Sequence, residues 1–150
     1  MLSDLPTLPS THAAPHASSR FPPWLRALKP SRDDILAASF EFFGTALFLL
    51  LGLGGIQSAA AETLSRPDVT SAVSQVMYIA TCMGLALLVS AWLFFRITGG
   101  LFNPNVSLAL LLCGAITPVR FVCYCVAQLL GGIAGAALVL ALTPGDISFK

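Results

Sequence analysis

Between Arg96 and Arg120 the chain holds an apolar run that is too short to cross a bilayer. It is introduced by "TGGLFNPN", residues 98 to 105, and closed by Gly114 and Thr117-Pro118. From Pro104 to Cys113 a helix would rise roughly 15 Å, about half of the roughly 30 Å hydrocarbon layer. Unwound backbone at membrane depth is tolerated only where protein buries it or where it lines a wet cavity. A chain carrying such a stub must fold around it.

That lipid is the main solvent follows from the composition. Of the 150 residues 56% are hydrophobic and only 10% are charged, whereas a soluble domain carries about 25% charged residues. The mean hydropathy is +0.83. A formal net charge of +1, with eight scattered cations, leaves no basic face for nucleic acid. The fold class this predicts is an all-α integral membrane protein with three spanning helices and one re-entrant half-helix.

The spans are Ile35 to about Ala61, Val76 to Phe95 and Phe121 to Leu142. Arg20, Arg26, Lys29 and Arg32 precede the first, Arg96 follows the second and Arg120 precedes the third. The loop between the first two spans offers Arg66 beside Glu62 and Asp68. The excess of cations on one side predicts a cytoplasmic amino terminus. The stub leaves and returns on that same side, so it is re-entrant. One long helix from Val106 to Leu142 is the competing reading, and Gly114, Thr117-Pro118 and Arg120 oppose it.

Residues 1–32 are rich in Pro, Ser, His and Ala, and prolines interrupt every apolar stretch that could serve as a signal core. They read as a disordered cytoplasmic tail. Residues 33–143 form the membrane unit, and residues 144–150 read as an extracellular tail, a truncated loop. His12 and His16 stand four apart, but Pro15 lies between them and no other ligand is near, so no metal is expected. Cys82, Cys113, Cys123 and Cys125 fall in or beside apolar runs and read as buried thiols, with palmitoylation a lesser option. Asn105-Val106-Ser107 matches a glycosylation sequon at a depth where it is not modified. No catalytic set and no cofactor-binding loop is present, so neither an enzyme nor a cofactor is expected.

The chemistry concentrates at the start of the stub. Asn103 precedes a proline and so disfavours the helical region. Pro104 suits the first helical position, where its missing N–H is no loss. Asn103 is then a natural N-cap, its side-chain oxygen accepting from a backbone N–H of the first turn. The NH2 of that amide keeps two donors, and the aligned peptides add roughly half a positive charge at the same point. Such a site offers donors to a neutral polar molecule and repels cations. Glu41 is the acid well inside a span and needs an inward partner, since a carboxylate at mid-helix costs roughly 2.5 to 3.5 kcal/mol on insertion scales. Gly131 and Gly135 form a G-x-x-x-G, and the small residues around Gly44 do the same; both read as helix-packing positions.

Three motifs, "FEFFGTALFLLLGLGG" at 40–55, "FFRITGGLFNPNVSLALLL" at 94–112 and "AQLLGGIAGAAL" at 127–138, occur here in order. Together they resemble the first half of the aquaporin (major intrinsic protein) family over about residues 35–145, with wording closest to its fungal, aquaglyceroporin-like members. The resemblance implies one of two inverted repeats, whose half-helices meet tip to tip at the midplane. It implies a passive channel for water or small uncharged solutes such as glycerol, in which Asn103 is the pore donor and Pro104 helps hold the two loops together. Glu41 would accept bonds from the backbone of the re-entrant loop; the alternative is a proton-coupled carboxylate. Gln128 would tether the same loop or bond a neighbouring helix.

Met83 lies twenty residues before Asn103, where the family places a residue of its narrowest constriction. Strict water channels usually carry an aromatic there, so methionine implies a wider, less polar opening. Asn105 stands where the family has alanine, and the larger amide either fills part of the lumen or separates the half-helices. The second half-helix is not in this sequence, which ends at Lys150. One copy therefore needs a partner: a second aquaporin-type half, or another copy in a homo-oligomer, tetrameric by resemblance. The alternative is a non-conducting truncated protein that associates with complete channels.

Overall fold

The computed structural model describes residues 29–66, 68 and 71–143. The amino-terminal tail up to residue 28, with His12 and His16, and the segment 144–150 lie outside the described residues.

Four helices follow one another: α1 (Arg32–Ser65), α2 (Ala72–Thr98), α3 (Pro104–Leu112) and α4 (Pro118–Leu142). Polar caps outside the apolar windows fix where they begin. Ser31 opens α1 with a capping box: its hydroxyl accepts from the Asp34 N–H, and the Asp34 carboxylate accepts from the Ser31 N–H. Ser71 and Thr117 cap α2 and α4, accepting from the N–H groups of Ser74 and Arg120. Helices α1, α2 and α4 therefore start three or four residues ahead of the spans expected from Ile35, Val76 and Phe121. Gly99 ends α2 in the left-handed conformation, with φ at 94°, which costs glycine nothing.

The chain does not continue from α3 into α4. Cys113 closes α3, Gly114 turns at φ 73°, and Pro118 restarts the helix at its first position. The half-length helix therefore stands as a separate element nine residues long.

Helix α1 is the central element, packed against α2 on one flank and α4 on the other, while α3 packs on α4. Small residues permit the close approach. A Cβ on Gly131 would lie 2.5 Å from the Phe42 carbonyl oxygen, and one on Gly135 would lie 2.8 Å from that of Ala46. On the other flank, Gly52 and Gly55 of α1 receive the side chains of Met83 and Cys82 from α2. Contact of this kind holds helices together in lipid, where apolar surface alone supplies no drive to associate.

The interior is small and partly polar. Ala37, Ala46, Ala86, Tyr124 and Val139 are buried beside Glu41, Thr45, Ser90, Ser107 and Gln128. Many large apolar side chains point outward, Trp92 being 81% exposed and Leu142 69%. In water that arrangement would be untenable; in a bilayer it is the ordinary one. Helices α1, α2 and α4 are each long and apolar enough to span.

Candidate functional site

The site is built around Glu41, which sits on α1 one turn before Thr45 and is fully buried. Four donors converge on its two oxygens. Oε1 accepts from the Thr98 hydroxyl and from the Leu101 N–H at 3.2 Å. Oε2 accepts from the Phe102 N–H at 2.8 Å and from the Gln128 amide nitrogen at 2.9 Å. The carboxylate thereby satisfies the backbone of the loop that enters the half-helix, which otherwise would leave bare N–H groups in an apolar interior.

The network extends to both sides. The Gln128 amide nitrogen also meets the Ser107 hydroxyl at 3.0 Å, and that hydroxyl lies 3.1 Å from the Asn103 carbonyl oxygen, to which it donates. Tyr124, 1% exposed, donates its hydroxyl to the Thr98 carbonyl at 3.3 Å. The start of α3 is thus fastened to α4 through Ser107 and Gln128, and its entering loop to α1 through Glu41.

Asn103 caps α3 from extended backbone, φ −148° and ψ 123°. Its Oδ1 accepts the Asn105 N–H at 2.8 Å. Its NH2 makes no hydrogen bond among the described residues, and the residue is exposed. Asn103 and Pro104 line a groove of about 510 Å³ between α1 and α4, together with Thr45, Phe48, Gln128 and Ile133. No acid lies in the first turn of α3; the negative group near it is the buried Glu41 carboxylate, which holds the Phe102 N–H just ahead of the cap. The Asn103 amide and the start of α3 border the groove.

Other singled-out positions lie elsewhere. Met83 is half-buried on α2, where its sulfur occupies the space beside Gly52, and it does not line this groove. Asn105 is exposed on the first turn of α3. At Gly44 the atoms nearest a Cβ belong to the ring of Phe102, from the loop, and not to another helix. Ser107, the third position of the sequon, is fully buried. The four cysteines are free thiols; Cys113 is exposed and the other three are half-buried. Thr98, Tyr124 and Ser107 entered the network unannounced by the sequence. A hydroxyl in an apolar run is too common a feature to point to one distant carboxylate.

Comparison with known proteins decides the relationship. A profile of the major intrinsic protein family matches residues 30–149. The chain belongs to that family. Its relatives include an aquaporin of Laccaria bicolor, 61% identical over 117 residues, which cover 77% of this chain and 38% of the relative. Aquaporin-1 of the same organism is 60% identical over the same shares. Aquaporin-7 of Botryotinia fuckeliana is 40% identical over 131 residues, covering 85% of this chain and 29% of that protein. The chain therefore spans well under half the length of these relatives. Within the major intrinsic protein family it is an all-α integral membrane protein of fungal aquaporin type, and its relatives bear the names of channels, not of enzymes.

Proposed function

We propose that this chain forms one half of a channel that passes water and small uncharged solutes, glycerol included, passively across a bilayer. The observation that carries this reading is the separate half-length helix α3, with the NH2 of its cap amide at the rim of a groove and its entering loop fixed by a buried carboxylate. Asn103 is the donor that orients a passing molecule by its oxygen, and the helix dipole keeps cations out. Pro104 presents a flat, donor-free edge to whatever half-helix faces it. Asn105 adds a second amide at that junction, and Met83 shapes the opening further along α2.

A complete path needs an opposing wall, supplied by a second half of the same kind or by further copies of this chain, with a tetramer as the assembly. The amino terminus faces the cytoplasm. The fourfold coordination of Glu41 supports anchoring rather than a proton relay, since both oxygens are engaged by donors of the loop and α4.

Vesicles containing the chain, alone and together with the remaining part of a Laccaria bicolor aquaporin, test the reading. Osmotic shrinkage and glycerol entry should outpace empty vesicles when both parts are present, with no dependence on a proton gradient. Rates equal to empty vesicles would overturn it. If the two parts nevertheless co-purify, that result supports a non-conducting partner of complete channels instead.

A further inference from the structure

Phe102 stands immediately before the cap and holds an uncommon backbone conformation. Its φ of 46° places a residue with a Cβ in the left-handed region, which glycine adopts freely and a bulky aromatic residue rarely does. Such a conformation persists only where the surroundings over-determine it. Here three contacts do so. The Phe102 N–H is held by Glu41 Oε2 at 2.8 Å. One side of the ring meets Phe94 of α2 at 5.9 Å between centroids and at 90°, and Phe94 in turn lies 6.3 Å from Phe40 of α1. The remaining side is seated at Gly44 of α1, where any Cβ would overlap the ring. The residue is 5% exposed, yet it contributes to the wall of the groove that Asn103 borders.

The hydrogen bonds alone do not fix the helix tip. Glu41 holds the loop backbone up to residue 102, and Ser107 with Gln128 holds the first turn from the α4 side. Among the described residues, the hydrogen bonds of Asn103 itself go only to Asn105 and Ser107 of α3, so no bond of the cap residue reaches α1 or α2. Asn103 is extended ahead of a proline, a stiff junction that passes any shift of Phe102 straight to the cap. We propose that Phe102 is a positioning residue of the half-helix: its ring, seated at Gly44 and braced by Phe94, sets how far the Asn103 amide reaches into the groove. The structural part stands independently; the consequence for permeation rests on the channel reading above.

Hydrogen–deuterium exchange on the full chain in detergent micelles tests the structural part. Phe102→Ala should speed exchange at Leu101 and at Asn105 to Ser107 by about tenfold, while α1, α2 and α4 keep their protection. Gly44→Ala should do the same, because its methyl evicts the ring. The double variant should exchange more slowly than Gly44→Ala, since the methyl then occupies space the ring has left. Phe102→Leu keeps apolar bulk and should lie nearest the parent. Unchanged exchange in Phe102→Ala, or purely additive effects in the double variant, would overturn the proposal. In vesicles with the complementary half, Phe102→Ala should shift the glycerol-to-water permeation ratio; a constant ratio beside a loosened loop removes the link to selectivity. No permeation in any sample, parent included, speaks against the channel reading and leaves the exchange result to decide the rest.

Discussion

Glu41 shows how one residue can organise a site it never exposes. Its oxygens accept from the loop, from Thr98 and from Gln128, so Glu41→Gln turns an acceptor into an NH2 group facing donors. At least one buried N–H loses its partner, at about 1–3 kcal/mol. The expected result is a lower thermal midpoint in detergent, with loop 98–102 exchanging faster than the helices; an unchanged midpoint would contradict it. Asn103 acts at the opposite extreme, exposed and with free donors. Asn103→Asp places a negative charge at the helix tip and should weaken cation exclusion in a complete channel, read as a cation leak across vesicles. Equal leak in parent and variant would refute the electrostatic role. In the sequence, Glu41 and Gln128 stood out as polar residues in apolar runs. That they meet across 87 positions is a tertiary fact. The left-handed Phe102 was illegible for a different reason: the local signals for that conformation are Gly and Asn, and here packing overrides them.

Among the elements, the spanning helices were the most legible, because a long apolar run in a chain with few charges permits little else. Their starts were less so, since caps such as Ser31, Ser71 and Thr117 lie outside the apolar windows and hydropathy does not register them. The break at Gly114 to Pro118 could be read from two residue types with opposite backbone demands. Which glycine faces which neighbour could not be read: Gly131 and Gly135 close on α1, whereas Gly44 makes room for a ring. Spacing alone is the same in both cases. Gly131→Ala should push α1 and α4 apart against the Phe42 carbonyl, at about 1–3 kcal/mol. A fall in thermal midpoint in detergent checks this, and a Gly132→Ala control, where the nearest atom is a flexible Leu49 methyl, should fall less.

At the scale of the whole molecule, polar contacts lie within and many large apolar side chains without, as a lipid solvent requires. The start of α1 is clasped to the start of α4 by Asp34 and Arg120, 2.9 Å apart and partly shielded. Both ends lie on the side where the proposal places the cytoplasm. Single cysteines introduced at Ser31 and Thr117, in a background lacking the native thiols, should therefore be labelled by impermeant reagents from the same face. Labelling from opposite faces would break the proposed topology. Arg120→Ala should cost little, about 0–1 kcal/mol, because the pair is still in reach of water.

Chain order adds a consequence for biogenesis. Glu41 leaves the ribosome 57 residues before Thr98 and 87 before Gln128, yet all three close on one another in the finished fold. The first span must therefore reach the insertion machinery with its acid unsatisfied. Until the later segments arrive its place in lipid carries the cost of that acid, roughly 2.5 to 3.5 kcal/mol, so release of the three spans into the bilayer together is favoured over release of the first alone.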